Sequence, residues 1–334
     1  MTRQYLLVIT LLLLPRVLLS QGFIGNQPLF SSVFFEPGYR SPKLDMVLTQ
    51  RPGAELAHQY LITSYAYLGA GLKITPGTGL EITLAGQLNS FKAVDRFLIS
   101  NMDPLEYDVP FDQFSAYLSA RYLFWKHWRI FGVAHLLSAV RPVMVWQELP
   151  LGGEFIAVPD PYHDWLAAGG LEMVSERLQL LVSGSYAKFN SAPAVQADLG
   201  LTLFPFANLN TRIEGRIILL ADTLSPQGRF VGRIGLAQKL IGNLWAEAGG
   251  AYGMMQNYHE NDGFDVSNIY DPETSNVRFS LIYKEITRNL SLSVRYAYSK
   301  RWASWYLYQY GEYLSRESAE YSCNSLTAGI TWRF

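Results

Sequence analysis

The stretch SLTAGITWRF, residues 325–334, decides the fold. Leu326, Ala328, Ile330, Trp332 and Phe334 alternate with Ser325, Thr327, Gly329, Thr331 and Arg333. Successive side chains of a strand point to opposite faces, so this period of two sets an apolar face against a polar one. Half-buried strands of soluble sheets alternate too, but they usually run out into a polar tail. Here Phe334, on the apolar face, stands last, and the pattern predicts a strand whose apolar face meets lipid.

Composition agrees with that reading. The 334 residues are 49% hydrophobic and 14% aromatic, only 16% are charged, and the mean hydropathy is +0.06. That is too polar for a bundle of membrane helices and too weakly charged for an ordinary globular domain, where roughly a quarter of residues are ionic. A net charge of −1 provides no basic field, so nucleic acid is not an expected partner. The single cysteine, Cys323, excludes an intrachain disulfide and a cysteine-based zinc site. Residues 1–20 carry Arg3, an apolar run from Tyr5 to Leu14, and small residues near Ser20, the layout of an export signal. Pro15 and Arg16 interrupt the run short of a spanning helix.

Alternation then repeats along the chain. In 59–74, Tyr60, Ile62, Ala66, Leu68, Ala70 and Leu72 oppose Thr63, Tyr65, Tyr67, Gly69 and Lys73; the turn Pro76-Gly77-Thr78-Gly79 leads into another alternating run. Residues 113–124, 195–205, 211–221 and 289–299 are as regular, and weaker runs fill the gaps. Short turns at 76–79, 126–127, 175–177, 206–209, 241–243 and 286–289 alternate with longer connections at 92–112, 141–164, 190–194, 222–228, 256–276 and 300–321. Transmembrane barrels have short periplasmic turns and longer outer loops. With residues 44–50 as the first strand, the chain is expected to be all-β: one transmembrane antiparallel barrel of about fourteen strands over 44–334. Trp128 and Trp332 at the short-turn edge, and Tyr60, Trp165, Tyr186, Phe230, Tyr252 and Tyr298 at the outer edge, fit two aromatic girdles.

These features resemble bacterial outer-membrane β-barrel proteins, whose last strand commonly closes on an aromatic, as Thr331, Trp332, Arg333 and Phe334 do here. The resemblance implies outer-membrane lipid as the surroundings. It also implies that Trp332 and Phe334 form the signal read by the barrel-assembly machinery. Residues 21–43 are expected to lie at the periplasmic mouth or tucked into the lumen, because Pro37 and Gly38 interrupt a strand while the aromatics need cover. Within them, Gln27, Pro28, Phe30, Ser31, Glu36, Pro37, Gly38 and Tyr39 weakly resemble the start of the PorP/SprF family of type IX secretion barrels.

Inward positions carry more basic than acidic residues. Arg216, Arg233, Arg278 and Arg295 fall near mid-height on neighbouring strands, with Asp198, Glu214 and Glu247 among the nearby inward acids. A guanidinium ring at a constriction favours anions; paired with those acids, the same arginines fill a closed interior. The residue pattern admits both arrangements. The acidic loops at 103–112 and 259–273 fit no EF-hand spacing, and no cofactor or metal is expected. None of His58, His127, His135, His163 and His259 stands beside a serine in a catalytic spacing, so an enzyme is not expected. The expected function is a conduit for small solutes with a net-basic lumen. The alternative is a barrel that anchors, or is a subunit of, an envelope secretion or assembly complex.

Overall fold

The computed structural model describes residues 23–24, 27–28, 30–43, 54–76, 79–100, 103–149, 152–208, 210–223, 225–260, 265–267, 271–310 and 312–334. The leader reading of residues 1–20 lies outside them. Fourteen antiparallel strands close into one barrel. They are β1 (Phe30–Lys43), β2 (Leu56–Ile74), β3 (Leu80–Ile99), β4 (Phe111–Trp125), β5 (Trp128–Leu149), β6 (Gly152–Val174) and β7 (Leu178–Phe189). There follow β8 (Ala192–Leu203), β9 (Thr211–Asp222), β10 (Ser225–Ile241), β11 (Leu244–Met255), β12 (Glu273–Thr287), β13 (Leu290–Gln309) and β14 (Glu312–Arg333). Each pairs with its neighbour in sequence, and β14 closes the ring on β1 from Ser322↔Lys43 to Arg333↔Ser32.

The first strand differs from expectation. It is Phe30–Lys43, whereas 44–50 lie outside the described residues. Pro37 does not break it, because the β14 ladder passes from Thr327↔Gly38 to Ile330↔Phe35 and omits Glu36 and Pro37, so the missing N–H falls where no bond is made. Gly38 is needed for close approach: the Tyr67 ring lies where a Cβ would stand, and its hydroxyl hydrogen-bonds Thr327. Of the aromatics in this segment, Phe35 and Tyr39 lie on the outer surface, while Phe34 shares the inner face with Glu36 and stands over Gly71.

Outward positions form an apolar belt. Leu199, Ile217 and Val294 are each more than half exposed although fully aliphatic. Left in water, each such side chain forfeits about 1.5–3 kcal/mol of burial. A belt of this extent far exceeds the few hundred Å² of apolar patch that a soluble monomer tolerates. The covering solvent is lipid, and the chain is an outer-membrane barrel. Trp128, Trp165, Tyr186, Phe230, Tyr252, Tyr298 and Trp332 lie on the outside, with Trp165 and Tyr186 in ring contact at 5.4 Å. Phe334 is half-buried just past β14.

Tyr60 is not part of that girdle. A bulge between Ile62 and Ser64 shifts the alternation by one residue, so Tyr60 lies opposite Asp95, on the face that Phe91 and Ala93 share. The Arg141 guanidinium stands 5.6 Å from its ring centre. A one-residue slip moves every later side chain to the other face, and hydropathy alone does not reveal a bulge.

Three expected loops are largely strand: residues 92–99 continue β3, and Leu105–Asp108 pair back on it from Val94↔Asp108 to Phe97↔Leu105. Residues 141–164 continue the β5–β6 hairpin from Val140↔Pro161 to Leu149↔Gly152, and 300–321 continue β13–β14 up to Gln309↔Glu312. Above the bilayer neither lipid nor lumen imposes alternation, so these extensions lost the signal that marked the strands below. Upper β13 also pairs with upper β2 through Leu307↔Ala57, which covers that part of β2 on both faces: Ala57 and Leu61 pack on Ala303, Leu307 and Tyr321, while Tyr60 and Ile62 join the Phe91 cluster.

Candidate functional site

The interior is filled from above. After β11 the chain turns at Asn257, whose φ of 51° lies in the left-handed region that asparagine tolerates. A small hairpin, Tyr258–Glu260 paired with Asp265–Ser267, then enters the lumen. The 259–273 connection, expected at the outer surface, therefore places its described hairpin inside. Tyr258 packs on Ile218, Leu220, Val231, Ala251 and Met255, and Val266 packs against the apolar inner cluster around Tyr117, Phe131 and Leu166.

Polar contacts fix the hairpin in register. The Gln196 amide donates to the His259 carbonyl at 3.0 Å and accepts from the His259 N–H at 3.3 Å. His259 Nε2 meets Ser185 Oγ at 2.7 Å. At the entry, Asn257 Nδ2 donates to Asp222 at 3.2 Å, and the same carboxylate accepts from Arg229 at 2.5 Å. Arg229 also donates to the Gln256 carbonyl at 3.2 Å.

The four arginines singled out from the sequence are distributed unequally. Arg216 and Arg233 stand directly opposite each other, on β9 and β10. Two guanidiniums in that position repel, and each has its own acid: Arg216 Nε lies 2.8 Å from Glu214, Arg233 3.2 Å from Glu260. Arg278, on β12, hydrogen-bonds the same Glu260 oxygen. Arg233 and Arg278 reach one carboxylate because the intervening strand presents only Ala251 and Gly249 opposite them. Arg295 makes no ion pair within 4 Å among the described residues, and lines a cavity of about 210 Å³ with Glu36, Gln87, Asn89, Gln113 and Arg301. Of the acids, Glu247 pairs with Arg212 at 3.4 Å, and Asp198 accepts from Gln196 at 2.9 Å and Ser183 at 3.4 Å.

Burial by itself raises the Glu260 carboxyl, but Arg278 and Arg233 outweigh it and hold the group below the usual carboxylate range. His259 behaves oppositely. Burial lowers its ring to about 4; Glu260 pulls it up, while His135 and Arg216 push it further down. Its Nδ1 has no hydrogen-bond partner among the described residues. An undocked histidine titrates near 6.5, so docking is at full strength above that pH and weakens as pH falls toward 4. Asp271, raised to about 6 by burial, titrates in the same window with opposite sign. The expected result is therefore a difference: in hydrogen exchange from pH 7 to 4, the Tyr258–Glu260 strand of the wild type loses more protection at acid pH than that of His259→Gln, which keeps a polar group but does not titrate. Superimposable profiles would contradict the assignment.

Sequence spacing missed two serine–histidine contacts. Ser185 with His259 docks the hairpin. Ser138 and His163, cross-strand partners on β5 and β6, meet at 3.0 Å on an exposed face. Asp164 faces the other way and accepts from the Asn190 N–H at 2.9 Å, so it does not orient that histidine.

No protein-family model and no curated sequence matches the chain. Solved structures match in fold. A FadL homologue of Pseudomonas aeruginosa superposes with a TM-score of 0.55 at 9% identity, covering 91% of this chain and 90% of that one. The toluene transporter TodX of Pseudomonas putida does so with a TM-score of 0.56 at 9% identity and the same coverage. At such identity the likeness shows a shared fold, that of an outer-membrane β-barrel.

Proposed function

We propose that the chain is a gated conduit for small polar solutes across the outer membrane, closed by its own hairpin and favouring anions once open. The observation that carries this reading is the Glu260 carboxylate, brought in by a loop and gripped by Arg233 and Arg278. With the hairpin docked, the cavity lining balances Glu36, Glu260, Asp265 and Glu273 against Arg40, Arg278, Arg295 and Arg301. Withdrawing the hairpin removes Glu260 and Asp265 and leaves the wall net positive, which draws anions in a low-dielectric channel. Among the fold neighbours, TodX is described as a toluene transporter and a monoaromatic hydrocarbon channel. In this chain Gln87, Asn89, Gln113 and Ser115 line the cavity and suit hydrated solutes instead. The test is the reversal potential of Glu260→Ala channels in a KCl gradient. Chloride preference is expected, reduced by a further Arg295→Ala change; a cation preference would contradict the reading.

A second reading, an anchor or subunit of an envelope complex, is favoured by Tyr310, Tyr313 and Leu314, exposed at the tip of the β13–β14 extension. Photo-crosslinking from position 313 in native membranes would capture a stoichiometric protein under that reading, and none under the first.

A further inference from the structure

Glu260 is a carboxylate of the protein itself, held in the lumen at a place built for carboxylates. Its two guanidinium partners come from strands separated by one strand whose inner face carries Gly249 and Ala251 between them. Both arginines are fixed to the wall, and the acid is on the insert. When the hairpin leaves, two cations remain within reach of one small oxyanion, the arrangement that recognises carboxylates most strongly.

A third cation stands close by. Arg278 lies opposite Ala297, and Arg295 lies two residues along the same face, a diagonal pair roughly 7–8 Å apart at the backbone. Arg295 lines the cavity, and among the described residues no acid stands within 4 Å of it. The cavity of about 210 Å³ beside these arginines is lined by the amides of Gln87, Asn89 and Gln113 and by hydroxyls together with Leu137 and Met255, a wall that accommodates a short hydrocarbon chain between polar ends.

We infer that Arg233, Arg278 and Arg295 form a binding site for a small dicarboxylate, and that this ligand opens the conduit by taking the place of Glu260: one carboxylate on Arg233 and Arg278, the other on Arg295. The inference rests on the gated-conduit reading and adds to it the ligand class and the trigger. Ligand and hairpin compete for the same two guanidiniums, so the solute is admitted only when it supplies the charge that the loop withdraws.

Planar bilayers containing the purified barrel test this with succinate, its uncharged isostere succinamide, and Glu260→Gln as the open reference. Folding of every variant is read from heat-modifiable migration on gels. Succinate in the millimolar range is expected to raise the open probability of the wild type severalfold, with succinamide inert. Arg295→Gln, which leaves the grip of Arg233 and Arg278 on Glu260 in place, is expected to shift the succinate requirement upward by about tenfold or more, since a hydrogen bond to a charged group is lost. Equal opening by succinamide, or an open Glu260→Gln channel beside a wild type that no succinate concentration opens, would overturn the ligand assignment while leaving the gate intact. A folded Glu260→Gln that conducts no more than the wild type would overturn the gate and the assignment with it.

Discussion

Replacing Glu260 with alanine is expected to turn a largely closed barrel into a largely open one. The carboxylate is buried and satisfies Arg233 at 3.2 Å, Arg278, and the Tyr258 hydroxyl, which donates to it at 3.2 Å. Removing one member of a buried ion pair costs about 3–5 kcal/mol, because the remaining charge stays desolvated without its partner. Here two guanidiniums are left, and both can rehydrate only if the hairpin withdraws. Each 1.4 kcal/mol is a factor of ten, so the docked-to-withdrawn ratio should fall by roughly a hundredfold or more. Open probability in planar bilayers measures it. Glu247→Ala is the control: among the described residues that acid has Arg212 as its ion-pair partner within 4 Å, at 3.4 Å, both groups being more than a third exposed, and its loss should leave gating unchanged. Equal open probabilities for wild type and Glu260→Ala would mean that the hairpin does not close the path.

The second large effect concerns the belt. Leu199 and Ile217 are cross-strand partners near the middle of β8 and β9, both pointing outward. Leu199→Arg is expected to lower folding stability in lipid by about 2–4 kcal/mol, the cost of an arginine at the bilayer midplane of a barrel. Tyr252→Arg, at the outer rim and 78% exposed, should cost no more than about 1 kcal/mol. Denaturant titrations in vesicles read both. Equal penalties at the two depths would mean that something other than a hydrocarbon slab covers this surface.

The membrane-facing part of the barrel was legible because lipid outside and water inside impose opposite demands on successive residues. Leu199 and Ile217 point outward, Arg216 and Arg233 inward, as period-two reading requires. Legibility ended where one of the two solvents was missing. Pairing above the bilayer, as in Val143↔Val158, left no alternation to follow. The bulge at Ile62/Ser64 reversed the face of Tyr60 without changing composition, and Pro37 concealed β1 because its unpaired N–H position is visible only in the ladder. The arginine set was readable as inward charge, but its principal partner was not. Glu260 stood in a loop that read as solvated acid, and only Tyr258 and Val266, apolar residues flanking the charges, hinted that the loop is buried.

The central claim, that a loop-borne carboxylate keeps the lumen shut, is tested most directly by the reactivity of a thiol inside it. Ser325 lines the cavity and accepts a cysteine with little change of volume; Cys323→Ser removes the native thiol. Modification of Ser325→Cys by a charged thiol reagent added from outside should be slow while Glu260 is present and at least tenfold faster with Glu260→Ala. Equal rates in the two backgrounds would contradict the claim.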